Sequence, residues 1–225
     1  MLERPLEQVL LDAVTIAFPL GAISELTRKL GASYRQSVEA FNDDPRIRQK
    51  DRKVLTGHLR FALINNDLVE FAAQYPDYMR CAEKMEGEEG ENNHVELIVG
   101  DFLVTHHHHT KSDAMPDDFV NLGSGYFQNN SKVNEYFDGE WFTEKRIVSE
   151  PRDHLLNMLI LHEKSPEGLH QIGNIEFVFP RKSKKFISLG VSDLTQRQTE
   201  IMDLDSDDLL EFKRRTAEEI RRYIA

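Results

Sequence analysis

The chain has 225 residues, of which 40% are hydrophobic, and its 39 acidic against 28 basic side chains give a net charge of −11. That length holds one ordinary domain or two small ones, and 13 Phe with six Tyr exclude wholesale disorder despite a mean hydropathy of −0.52. No apolar run approaches the ~20 residues that cross a bilayer, Glu3, Arg4 and Glu7 break up the first ten residues, and the single Cys81 excludes an internal disulfide. The chain therefore reads as a soluble cytoplasmic protein.

Residues 1–82 read as a helical subdomain. Leu6, Val9, Leu10, Ala13 and Ile16 keep a three-to-four-residue spacing, and Pro19 closes that segment. A second segment runs from Ile23 to Leu30, with Gly31 as its cap, and a third from Ser33 to about Asn42. From Val54 to Phe71 the apolar positions Leu55, Leu59, Ala62, Leu63 and Leu68 form a broad stripe. Residues 83–93 (EKMEGEEGENN) offer nothing to bury and mark a linker or loop.

Residues 94–225 read as an antiparallel sheet domain, meander-like, closed by an amphipathic helix. The period drops to two at His94–Val99 and Phe102–His109, with Gly100-Asp101 between them as a type II′ hairpin signal. Three further strand segments follow at Leu155–Glu163, His170–Phe179 and Phe186–Val191. The last helix begins near Asp207, capped by Asp205 or Ser206. Helices, then antiparallel strands, then one helix predict an α+β fold.

The run His106–His109 is the most unusual local feature. The hairpin turn fixes a register in which Val99 faces Phe102, Leu97 faces Val104, Glu96 faces Thr105 and His94 faces His107. Val95, Leu97, Val99, Phe102 and Val104 then form a core face, and His94, Glu96, Thr105, His107 and His109 the opposite one. Opposed strand residues have Cβ atoms ~5 Å apart, so His94, Glu96, His107 and His109 are the candidate ligands of zinc, nickel, manganese or another divalent transition metal. The reading without a ligand is a solvated edge strand, and no cofactor is then needed.

Other catalytic signatures fail. His162-Glu163 begins an H-E-x-x-H motif that Pro166 breaks, no phosphate-binding glycine loop is present, and the calcium-loop outline at Asp203, Asp205 and Asp207 lacks its glycine and its bidentate Glu. No nucleophile–base pair stands out for Cys81 or the scattered histidines.

Residues 1–80 are electrically neutral, so the whole −11 falls on the rest of the chain. Within the first portion, Arg28, Lys29, Arg35, Arg46, Arg48, Lys50, Arg52 and Lys53 form a locally basic stretch, a candidate for phosphate or nucleic-acid contact. Residues 26–38 carry the outline of a helix–turn–helix, with Gly31 at the turn. The apolar anchor falls at Val38, one position late and about 100° around the helix, which favours a plain helical hairpin. A second basic cluster fills Arg181–Lys185.

Three functions compete. The first is a non-enzymatic prokaryotic or phage accessory or regulatory protein, such as an inhibitor in a defence or toxin–antitoxin setting, acting by protein–protein contact. It rests on the missing catalytic constellation, the acidic body and the aromatics of residues 119–142, with Tyr126, Phe127, Trp141 and Phe142 as candidate interface anchors. The second is a weak nucleic-acid-binding regulator using residues 28–53. The third is a metal-dependent nuclease or hydrolase centred on the histidine hairpin.

Overall fold

The structure, a computed structural model, describes residues 5–42, 44–84, 94–100, 102–109, 156–180 and 186–224. Three helices come first, α1 (Leu6–Ala17), α2 (Ala22–Asn42) and α3 (Gln49–Gln74). Six strands follow: β1 (Met79–Lys84), β2 (His94–Val99), β3 (Phe102–His109), β4 (Leu156–Ser165), β5 (Gly168–Pro180) and β6 (Phe186–Gly190). The described chain ends in α4 (Val191–Met202) and α5 (Ser206–Ile224), and the fold is α+β.

The strands form one six-stranded sheet in chain order. Every pairing is antiparallel except β3 with β4, which is parallel, so the sheet is not a complete meander. A parallel pair needs a crossover of roughly a dozen residues or more, and residues 110–155, which lie outside the described part, exceed that.

The hairpin register is the expected one, with Val99 opposite Phe102 and Leu97 opposite Val104. Gly100 in its turn has φ +56°, and a Cβ there would come within 3.4 Å of Ala17 at the end of α1. β3 lies between β2 and β4, so it is an interior strand and not an edge.

Helices and sheet share a single core. Phe18, Leu26, Leu30, Ile64, Leu68 and Phe71 from the helices pack in one cluster with Leu97, Val99, Phe102, Met158, Ile160 and Phe177 from the strands. At about 0.8 kcal/mol per buried CH₂, this contact supplies the main drive for folding. α3 packs over β1 and β2, whereas α1 and α4 pack over β6 and α5 packs against α1.

Three further sequence expectations change. α2 is continuous through Gly31, so neither the helix–turn–helix nor the hairpin reading of residues 26–38 holds. Ile23, Leu26, Leu30, Tyr34 and Ser37 are buried at helical spacing on both sides of the glycine, and that burial outweighs its helix penalty of about 1 kcal/mol. β1 falls where the helical stretch was expected to end, and α4 occupies a segment with only Leu194 and Gln198 buried. So sparse an apolar stripe gives little period to read.

Among the described residues no single helix is long and apolar enough to cross a membrane. α1 and α2 would meet that test only as a pair, bent by 85°.

Candidate functional site

The alternation that buries Phe102 and Val104 continues along β3 and puts His106 and His108 on the same helix-facing side. On β4, the sequence Leu156, Met158, Ile160 leads by the same rule to His162. Parallel register sets His108 beside His162. Three imidazoles therefore end the core, beneath α2 and α3.

The helices close a hydrogen-bonded chain over them. The Tyr34 hydroxyl of α2 lies 2.8 Å from His162 Nδ1, His162 Nε2 lies 3.1 Å from His106 Nδ1, and His106 Nε2 lies 2.9 Å from Asn65 Oδ1 of α3. With Asn65 Oδ1 as the terminal acceptor, each link has one proton. His106 Nε2–H donates to Asn65, His162 Nε2–H donates to His106 Nδ1, and the Tyr34 O–H donates to His162 Nδ1. Every member is then neutral and satisfied.

Burial enforces that neutrality. His162 is 2% exposed, and burial, reinforced by the neighbouring His106, His108, His107 and Arg60, holds its pKa well below the ordinary histidine value. Tyr34 is fully buried and its hydroxyl is pushed above the usual tyrosine range, although the guanidinium of Arg60 sits 4.0 Å from its ring centroid and pulls the other way. Arg60 donates from Nε to Ser37 Oγ at 3.3 Å, while Phe61 covers the His106 ring at 5.1 Å.

Beside His162 the β4–β5 pairing shifts register between His162 and Lys164. Opposite, a Cβ on Gly173 would come within 2.9 Å of the Lys164 carbonyl oxygen and 3.0 Å of Ser165 Cα, so only glycine fits this close approach. An irregularity of this kind re-aims side chains, here at the end of the histidine cluster.

Of the residues considered for a metal, Glu96 and His107 are described to their side chains. Glu96 and Thr105 lie on the sheet face opposite His106, and both are buried, at 2% and 6% exposure, where a solvated face was expected. His107 is half-buried and opposite Leu161, and the side chains of His94 and His109 lie outside the described part. Among the described residues no group of three His, Cys, Asp or Glu side chains is placed to hold a metal ion.

The basic stretch divides. Lys29 is buried and reaches Glu70 at 3.3 Å across the α2–α3 seam, beside a hydrogen bond from Ser33 to Asp67. Arg52 clasps the α2–α3 connection through the carbonyl oxygens of Asn42, Asp44 and Ile47. Arg46 and Arg48, largely exposed, pair with Asp44 and Asp51. Arg28 is exposed near Glu25, and Arg35, Lys50 and Lys53 are exposed.

Lys50 and Lys53 border an apolar strip. Val54 is 59% exposed and Leu55 38%, off the stripe of α3 that buries Thr56, Arg60, Ile64 and Leu68, while Phe61, 43% exposed, packs on His106. Elsewhere, a cleft of about 400 Å³ opens between α1 and α4, where Arg197 is held by the fully buried Asp12 at 2.6 Å and by Glu200 at 2.7 Å. Tyr126, Phe127, Trp141 and Phe142, and the basic loop 181–185, lie outside the described residues.

Comparison with protein families, with curated proteins and with solved structures finds no match to this chain.

Proposed function

We propose that this is a non-enzymatic accessory or regulatory protein that holds a protein partner on the outer side of α3. The observation that carries the reading is the exposed Val54–Leu55 pair beside the exposed Lys50 and Lys53, Arg46 and Arg48 being paired with Asp44 and Asp51. Apolar anchors within a charged rim are the usual make-up of a protein contact, and the rim's sign selects an acidic partner. Bare basic residues would suit phosphate as well. An apolar pair at their centre and a chain charge of −11 favour a polypeptide.

Burial argues against the imidazoles as a catalytic centre. Tyr34 and His162 are closed under two helices with their hydrogen bonds made, so their role is to set the arrangement of α2 and α3 on the sheet. That arrangement presents the α3 face.

The test compares the wild-type chain with Val54→Asp/Leu55→Asp as bait in cells of its origin. The reading expects one acidic partner retained by the wild type at low salt, released at high salt and lost with the variant. Equal retention by both baits would overturn it.

A further inference from the structure

We propose that the partner for the α3 face is a second copy of this chain, joined head to tail; the inference rests on the α3 reading above and supplies its occupant. The complementary surface is at the α4–α5 junction. Met202 is 58% exposed and Leu210 54%, and between them and around them Asp203, Asp205, Asp207, Asp208 and Glu211 are all exposed. From Met202 to Phe212 there is no basic residue. Arg214 and Arg215 follow one turn on, so the acidic surface ends at Glu211. Its apolar residues and carboxylates are opposite in sign to Val54 and Leu55 beside Lys50 and Lys53, Arg46 and Arg48 being taken up by Asp44 and Asp51.

The fold keeps the two surfaces apart. α3 packs over β1 and β2 at one edge of the sheet, while α5 packs on α1, which with α4 covers the β6 edge. Five strand spacings of ~4.8 Å separate those edges by about 24 Å. One chain therefore cannot satisfy its own pair of surfaces. Two copies can join the basic–apolar face of one to the acidic–apolar face of the next. Such a contact uses different patches on the two copies, so it propagates into a ring or an open chain and does not stop at a two-fold dimer.

Each surface has a change at exposed positions that spares the fold. Lys50→Glu/Lys53→Glu alters exposed positions of α3. Met202→Asp/Leu210→Asp removes the apolar pair of the acidic surface while leaving Asp205, which caps α5 by accepting from the Asp207 and Asp208 amides, in place. Sedimentation velocity of the full chain and of both variants, at ~0.02 M and ~0.5 M salt, reads the assembly.

The wild type is expected to form assemblies larger than a dimer at low salt and to dissociate at high salt. Each variant alone is expected to be monomeric. Mixed together they are expected to form a one-to-one dimer that grows no further, because only one competent surface of each kind remains. That complementation also reports that both variants are folded. A wild type that stays monomeric at low salt overturns the self-association. It leaves the α3 reading itself to the partner-capture comparison. Assembly of either variant alone, or a mixture that stays monomeric, overturns it as well.

Discussion

His106 Nδ1 lies 3.1 Å from His162 Nε2, so two imidazoles 56 residues apart share one proton inside the core. The link joins a β3 side chain to a β4 side chain, and each ring is fixed from the other side by a helix, His106 by Asn65 of α3 and His162 by Tyr34 of α2. Adding a proton to either imidazole puts a donor where an acceptor is required.

A pH dependence of stability follows. The folded pKa of His162 is lowered, so between that value and the ordinary 6.5 the unfolded chain binds more protons, and stability falls as pH drops below about 6.5. The slope attributable to one such group is about 1.4 kcal/mol per pH unit. Tyr34 acts at the other end. Its folded pKa is raised above 10.0, so its contribution is present below that pH and is lost as pH rises beyond it. Denaturant midpoints across this range are expected to form a plateau between the two limits, and His162→Gln is expected to flatten the slope between pH 6.5 and 5.

Tyr34→Phe removes the donor to His162 Nδ1 and leaves a buried ring nitrogen unsatisfied. The expected loss is about 1–3 kcal/mol, read from urea unfolding. Unchanged stability would mean that the hydroxyl carries no part of the network.

Arg197→Ala leaves the carboxylate of Asp12, which is fully buried, without its 2.6 Å partner. Loss of one member of a buried pair costs about 3–5 kcal/mol; the quarter-exposed Arg197 places the expectation at the lower end. Thermal melting measures it.

Gly31 in α2 and Gly173 in β5 are expected to respond in opposite ways to an added methyl group. A Cβ on Gly31 would meet Ile172 Cγ2 at 3.8 Å and Arg35 Nη1 at 3.9 Å, both ordinary contacts, so Gly31→Ala is expected to stabilise by up to about 1 kcal/mol. Gly173→Ala would press on backbone and is expected to destabilise. A destabilising Gly31→Ala would restore a turn in α2.

The hairpin was legible because a glycine-led turn and strict alternation fix register locally, as Leu97 opposite Val104 bears out. The same alternation already placed His106 beyond Val104 on the core side, and His162 beyond Ile160. That signal lay in the sequence, masked by the expectation that a histidine run faces solvent. Tyr34 and Asn65 carried no such signal, since they meet the imidazoles across 128 and 41 residues and only the packing of α2 and α3 on the sheet brings them there. The helix break expected at Gly31 failed because local propensity was weighed without the burial on either side of it. The stripe drawn through Leu55, Leu59, Ala62, Leu63 and Leu68 takes in Leu55 and Ala62, which are exposed, for a related reason: helical periodicity finds a stripe but does not say which part of it faces inward.

The most direct measurement of the working surface is hydroxyl-radical footprinting of the full chain at low salt, over a range of concentrations. As concentration rises, protection is expected together at Val54 and Leu55 on α3 and at Met202 and Leu210 beside α5, and is expected to vanish in high salt. Oxidation at those four positions that stays constant with concentration, or protection of only one of the two surfaces, would contradict the head-to-tail contact.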